Sequence, residues 1–278
     1  GPLILRVGTE AQKERFLPAI ARGELAFCIG MSEPDAGSDL AAIRSRATKV
    51  DGGWRLDGRK IWTTNAQHSD FMIGLFRTAA ATEKARQAGL TQFLIDCRSS
   101  GIEIRPIRDL TGDAHFNEIG FDNVFVPDDL LVGAEGAGWA QVNAELALER
   151  SGPDRYLSAF PLLAMALDEI APDDGAARDV GRLVAELVTL REMSLSVAGM
   201  LQEGRSPLNE AALVKDLGTG FEQRLPETVR ALVDTGPDYD TPLAAMLSQL
   251  TQVAPVFSLR GGTREILRGI IARGLGLR

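Results

Sequence analysis

The 278-residue sequence has only two histidines and two cysteines. Cys28 and Cys97 lie far apart in no CxxC pattern, and His68 and His115 add no ligand spacing for zinc. No metal site is therefore expected, and a histidine-based triad has little to draw on. The cysteines read as two small buried hydrophobes in a reducing compartment, which points to the cytoplasm. No run approaches the ~20 apolar residues of a membrane span. Basic residues are in deficit, 30 Lys and Arg against 38 Asp and Glu, with a net charge of −8 and a pI near 5.0. Neither nucleic acid nor an anionic membrane attracts such a surface as its main partner, although a local basic patch could still hold phosphates. What is present is 45% hydrophobic and 24% charged residues, enough for a sizeable core in two domains and not a disordered chain.

Residues 9–22, TEAQKERFLPAIAR, read as a short amphipathic helix. Thr9 is placed to cap it, Gln12 completes a capping box, and Pro18 sits late enough to kink or shorten it. Beyond residue 25 the texture changes to short runs rich in β-branched and aromatic residues. These runs occupy 53–58, 71–78, 91–97, 102–107 and 117–127, with turns at Asp51-Gly52-Gly53 and Asp57-Gly58. They predict an antiparallel β domain, either sandwich or barrel. After Pro127 the period becomes helical: 138–168 broken near Gly152-Pro153, 178–202, 207–233, 241–256, and 263 to about 273. Pro172, Gly204 to Pro207 and Gly236-Pro237 punctuate the joins, and residues 83–89 read as a solvated loop or helical insertion. Several antiparallel helices with short joins predict a bundle.

Two segments carry recognisable chemistry. In 27–40, FCIGMSEPDAGSDL, the hydroxyls of Ser32 and Ser38 flank a turn-forming Pro-Asp-Ala-Gly. Such a loop can set several donors against a planar polar ligand edge; alone it could equally be an ordinary turn between strands. In 60–66, KIWTTNA, Trp62 beside Thr63 and Thr64 offers a flat apolar face with hydroxyl donors. That suits an aromatic ring bearing carbonyls and ring nitrogens, and a core tryptophan with surface threonines is the alternative.

Taken in order, SEPDAGSD, GRKIWTTNA, FDNVFVP and a terminal GGTREILR resemble the acyl-CoA dehydrogenase family. The resemblance implies an α+β, acyl-CoA dehydrogenase-like fold. Residues 1–25 would close an N-terminal helical domain, 26–128 form the central antiparallel β domain with the flavin ring site, and 129–278 the C-terminal helical bundle. Only the end of the first domain is matched, so a preceding portion is expected. The implied cofactor is FAD: Ser32 at the pyrimidine side of the ring, Trp62 and Thr64 over it near N5, and Ser38 at flavin and substrate thioester. Thr263 and Glu265 correspond to positions on the diphosphate or ribose, in keeping with a helix N-terminus as a pyrophosphate site.

The implied reaction removes an α-proton from an acyl-CoA thioester, and a sheltered carboxylate is its natural base. Many members carry that glutamate just before the Gly-Thr of the last helix, where this sequence has Gly261. A minority place it on the first long helix of the bundle, where the matching stretch LALER offers Glu149. Pro153 has no N–H for the carbonyl of residue 149, so an irregular helix is expected beside it. Arg150 is the accompanying substrate-side candidate, placed to orient the carboxylate or to brace the bundle.

Elements with which homotetrameric members complete a neighbour's flavin site are not recognisable in APDDGAARDVG or TPLAAMLSQLTQVAPV. The resemblance therefore implies an α2β2 heterotetramer with a related subunit, of the actinobacterial type acting on steroid side-chain thioesters, with an electron-transfer flavoprotein as acceptor. An acyl-CoA oxidase and a catalytically silent assembly partner are the alternatives.

Overall fold

A computed structural model describes residues 1–82, 85–170, 173–233 and 240–277. Pro172, Gly236-Pro237 and the start of the 83–89 segment lie outside them. The chain divides into two compact units, Gly1–Glu145 and Leu146–Arg278, each described by itself. Among the described residues no helix is long and apolar enough to cross a membrane.

The first unit opens with helices α1 (Pro2–Val7) and α2 (Glu10–Ala21). The capping box at Thr9 is present: the Gln12 N–H donates to Thr9 Oγ1 and the Thr9 N–H to Gln12 Oε1, both at 3.2 Å. Gln12 Nε2 also donates to the carbonyls of Asp129 and Leu131 at 2.7 and 2.8 Å, which ties the helix to the chain beyond the sheet. Pro18 is accommodated inside α2. Phe16 projects from α2 edge-on against Phe27 and Phe71, at 5.7 and 5.0 Å between ring centroids.

Seven strands follow among the described residues: β1 (Phe27–Gly30), β2 (Arg46–Val50), β3 (Gly53–Thr64), β4 (Phe71–Arg77), β5 (Leu90–Asp96), β6 (Ile102–Ile107) and β7 (Phe116–Pro127). They form one sheet in the order β1-β4-β2-β3-β7-β6, with β5 also paired to β4. Strands β4 and β5 are buried on both faces for all but their last residues, as their unbroken apolar runs require, whereas β6 alternates. Phe76 packs edge-on against Phe93 and Phe121, and Trp54 against Phe93, to fill the centre. Cys28 and Cys97 are free and buried.

The expectation of an antiparallel domain needs one correction: β1 runs parallel to β4 over Phe27–Gly30, and β2 touches β4 in parallel at Arg46. A parallel pair requires a crossover connection. The loop after β1 and the β2–β3 hairpin supply it. Neither β1 nor β2 stands out in the sequence, because a four-residue strand and the run RATKV carry too little alternation.

Lys60 on β3 is fully buried and pairs with Glu33 in the loop after β1, Nζ to Oε1 2.8 Å. Its ammonium also donates to the Met31 carbonyl at 3.2 Å and lies 5.0 Å from the centre of the Phe76 ring. Glu33 accepts the N–H groups of Arg44 and Ser45 at 2.6 and 2.9 Å. The pair crosses the fold and fixes both ends of the loop.

The second unit contains the end of α3 (Gly138–Ser151), a 3-10 turn at Pro153–Arg155, α4 (Phe160–Leu167), α5 (Asp174–Gln202), α6 (Leu208–Leu232), α7 (Pro242–Phe257) and α8 (Arg264–Gly274). The break expected at Gly152-Pro153 is where α3 ends. Helix α6 is central and packs against α4, α5, α7 and α8. Leu162, Leu190, Phe221, Leu225, Leu247 and Phe257 form its core. Thr241 and Thr263 cap α7 and α8, accepting the N–H groups of Ala244 and Ile266.

The buried pair of the first unit makes a pH dependence. Burial pulls Lys60 down to about 8 against the attraction of Glu33. Burial alone would raise Glu33, but the Lys60 charge and the hydrogen bonds from Lys60, Arg44 and Ser45 outweigh it and hold the carboxyl below its ordinary value. Between about pH 8 and the ordinary lysine value of ~10.4 the unfolded chain binds more protons at Lys60 than the folded chain, so stability from this group rises with pH. The Glu33 contribution is present above the ordinary carboxylate range and lost as pH falls through its depressed folded value. Glu33→Gln should cost about 3–5 kcal/mol near pH 7 by leaving a buried lysine unpaired, and Glu33→Gln/Lys60→Met should recover most of that loss. Urea denaturation of the first unit at pH 7, 8 and 10 checks both statements: the double variant should lack the alkaline rise.

Candidate functional site

In the first unit the site is built where β3 breaks register. The ladder between β3 and β7 shifts between Lys60 and Thr63, and Trp62 sits in this bulge with φ +60°. Asn65 follows with φ +54°. A bulky residue held in the left-handed region costs about 1–3 kcal/mol and persists only where its surroundings fix it, most often at a ligand site. Here the surroundings are the buried Lys60 on one side and the buried Thr63 on the other.

The bulge brings the two sequence segments together. The Ile61 N–H, freed by the register shift, donates to the Ser32 carbonyl at 2.9 Å. The turn after Ser32 is closed by reciprocal Glu33–Ala36 backbone hydrogen bonds of 3.0 Å. Trp62 is 56% exposed and meets Phe116 edge-on at 6.0 Å, which leaves indole surface open. Ser32 is half-buried, while Ser38 and Thr64 are exposed. The buried Thr63 hydroxyl has no hydrogen-bond partner among the described residues. An exposed aromatic face flanked by hydroxyls is a donor set that fits a flat heteroaromatic ring with polar edges, and the flavin of FAD has that form.

In the second unit the candidate base lies in a group of buried charges. Glu149 stands two residues before the end of α3, and Arg155 in the following 3-10 turn is only 6% exposed. Arg155 Nη2 donates to Glu149 Oε1 at 2.5 Å, and its Nε donates to the Glu149 carbonyl at 3.0 Å. That carbonyl is the one Pro153 cannot serve. Arg150, also buried, donates from Nε to the Gly261 carbonyl at 2.9 Å. This contact ties the end of α3 to the turn before α8, and the Arg150 guanidinium also feels the Glu149 charge.

Gly261 and Gly262 have φ of +69° and +102°, a turn open to glycine. A Cβ on Gly261 would stand 3.1 Å from Glu149 Oε1, 3.5 Å from Lys215 Cε and 3.8 Å from Arg155 Cζ. The glutamate on α3 thus reaches the spot toward which a side chain at position 261 would point.

Lys215 on α6 is fully buried and donates to Thr219 Oγ1 and the Phe257 carbonyl, both at 2.6 Å. Burial and then the nearby Arg155 and Arg260 lower it to about 8, opposed by Glu222 and Glu149. Glu222, two turns beyond Lys215, accepts the Ser158 N–H at 2.8 Å and faces Arg260 at 3.4 Å; burial raises its carboxyl above the ordinary value. Thr263 Oγ1 accepts the Ile266 N–H at 3.5 Å as the α8 cap. Glu265 is exposed, and its own N–H and the Thr263 hydroxyl hold its carboxyl below the ordinary value. Sequence reasoning missed Glu33, Lys60, Arg155, Lys215, Glu222 and Arg260. Lys215 and Glu222, with Thr219 between them, were the readable ones, because i, i+4 and i+7 place them on the same helical face as the buried apolar Ala211, Leu225 and Val229.

Comparison with known proteins follows the same lines. The acyl-CoA dehydrogenase middle domain matches residues 28–124. The chain is 36% identical over 280 residues to acyl-CoA dehydrogenase FadE34 of Mycobacterium tuberculosis strain H37Rv, covering 99% of this chain and 38% of that protein. It is 34% identical over 291 residues to acyl-CoA dehydrogenase IpdE1 of the same strain, covering all of this chain and 73% of the relative. Among solved structures, a G363A variant of the Tcur3481-Tcur3483 steroid ACAD superposes with a TM-score of 0.88 at 26% identity, over 100% of this chain and 75% of that one. The ChsE4-ChsE5 complex of Mycobacterium tuberculosis superposes with a TM-score of 0.83 at 28% identity, over the same shares. At 34% identity to a relative of which it covers 73%, and with its middle portion matching the family's middle domain, the chain belongs to the acyl-CoA dehydrogenase family.

Proposed function

We propose that the chain is part of a subunit that carries out FAD-dependent α,β-dehydrogenation of an acyl-CoA thioester, with Glu149 as the base. The observation that carries this reading is the convergence of Glu149 Oε1 on the Gly261 turn, 3.1 Å from where a Cβ would be. When bound, FAD supplies the two-electron acceptor for the hydrogen lost from the β-carbon. Trp62 offers its exposed face to the ring. Ser32 and Thr64 offer donors to its edge, and Ser38 serves ring and thioester. Thr263 and Glu265, at the start of α8, are assigned to the diphosphate or ribose. Glu149 takes the α-proton onto its carboxylate. Arg150 holds the Gly261 turn against α3, so its substrate role is to shape the wall of the site.

A bulky, steroid side-chain type of acyl group is the favoured substrate class, since a steroid ACAD is among the structures this chain resembles. The Tcur3481-Tcur3483 and ChsE4-ChsE5 relatives each combine two different chains, and we assign this chain the same habit, an α2β2 assembly with a related subunit. An electron-transfer flavoprotein is the proposed acceptor and the cytoplasm the proposed location.

Two measurements test this reading. Glu149→Gln keeps shape and hydrogen bonding but cannot accept the proton, and a general base typically contributes ~10²–10⁴-fold. Rapid-mixing measurement of flavin bleaching by acyl-CoA should fall by at least that range while FAD content stays near normal; bleaching within tenfold of the parent would remove Glu149 from the mechanism. For assembly, the chain expressed alone should hold little FAD, and co-expression with the related subunit should restore the yellow absorbance at one FAD per heterodimer. A fully flavinated homotetramer would overturn the assembly assignment.

A further inference from the structure

We propose that Arg155 is the positioning residue for the Glu149 carboxylate, and that Pro153 is what makes this arrangement possible. The proposal rests on the reading of Glu149 as the base. In a continued helix the N–H of residue 153 would donate to the carbonyl of residue 149, and proline has none. The helix ends at Ser151, Gly152 turns extended, and the 3-10 turn Pro153–Arg155 swings the chain back. That return places the Arg155 guanidinium against Glu149, where Nε takes the orphaned carbonyl at 3.0 Å and Nη2 takes the carboxylate at 2.5 Å. One planar group therefore reads the backbone and the side chain of the same residue. Its fork geometry fixes the direction of the carboxylate in a way a single ammonium does not.

The setting excludes a merely solvated ion pair. Arg155 is buried, whereas the Glu149 side chain is 38% exposed, so the arginine lies beneath the carboxylate. The charged groups around the pair are Arg150 on α3, Asp154 beside Arg155 at 3.2 Å, Lys215 and Glu222 on α6, and Arg260 after α7. Of these only Arg155 has a direct hydrogen bond to the Glu149 side chain among the described residues. Lys215 interacts with Glu149 through charge without a hydrogen bond to it, and Arg155 sets the aim.

The consequence for catalysis is geometric. A base displaced by about 1 Å loses on the order of 10²-fold in rate. Removal of Arg155 should therefore slow proton abstraction without weakening thioester binding. In the flavin-loaded holoenzyme, Arg155→Gln should lower both flavin bleaching by octanoyl-CoA or a steroid side-chain CoA thioester and α-proton exchange of the thioester in D₂O by roughly 10–100-fold. The dissociation constant of the thioester should change by less than about threefold, a split that general loosening of the fold would not produce. Arg155→Lys, which keeps the charge and stays closer to the native packing, should lie between parent and Arg155→Gln, and guanidinium ion added to Arg155→Ala should restore part of the rate. The decisive comparison is the double variant Glu149→Gln/Arg155→Gln, which should be no slower than Glu149→Gln alone, because a group acting only through Glu149 has nothing left to position. Parent-like bleaching and exchange in Arg155→Gln, or a double variant much slower than Glu149→Gln, would overturn the assignment. Failure of the base reading has a different signature: Glu149→Gln itself would remain active.

Discussion

The β unit depends on a lysine kept out of water. Lys60 has no exposed surface, and a buried ammonium is tolerated only with a carboxylate and further acceptors around it. Glu33 supplies the carboxylate and the Met31 carbonyl a further acceptor, and both belong to the loop that follows β1. Satisfying one charge therefore fixes the path of that loop, and with it Ser32 and Ser38. On the other side the same lysine anchors the start of the β3 bulge, where Trp62 is held at positive φ. The strain at Trp62 and the placement of the hydroxyls are two results of one constraint.

A related economy operates in the helical unit, with less complete pairing. Arg150, Arg155 and Lys215 are buried near one turn, with Arg260 beside them; Glu149, Glu222 and the more exposed Asp154 are the carboxylates among them. Their hydrogen bonds go largely to main-chain carbonyls: Gly261 for Arg150, Glu149 for Arg155, Phe257 for Lys215. These carbonyls belong to chain ends and turns that no helix ladder satisfies. The cations thus stitch together the end of α3, the Pro153 turn and the segment leading to α8. Compensation for their desolvation comes as much from orphaned carbonyls as from carboxylates.

The Gly261-Gly262 turn shows how a lost side chain and a gained one can occupy the same space. Positive φ at both positions lets the turn run close under Glu149, and Arg150 holds it there through the Gly261 carbonyl. A larger residue at 261 would be strained in φ and would press on Glu149 Oε1. Glycine here is consistent with a carboxylate that arrives from α3.

Much of this was legible in the residues. The capping box at Thr9, the break at Gly152-Pro153 and five of the seven strands among the described residues follow from local rules about hydrogen-bond donors, proline and alternation. Local rules work there because donor and acceptor lie within a few residues. The parallel pairing of β1 with β4 was not legible, since register across 44 residues depends on what fills the sheet's two faces. Nor was the partner of Lys60, 27 residues away, or of Arg150, 111 residues away. Glu149 could be nominated as the candidate base only through the family resemblance of the stretch LALER, and Pro153 announced that its carbonyl would be orphaned. That an arginine two residues past the proline would turn back to take both the carbonyl and the carboxylate was settled only by the fold, because burial decides which charges must find each other.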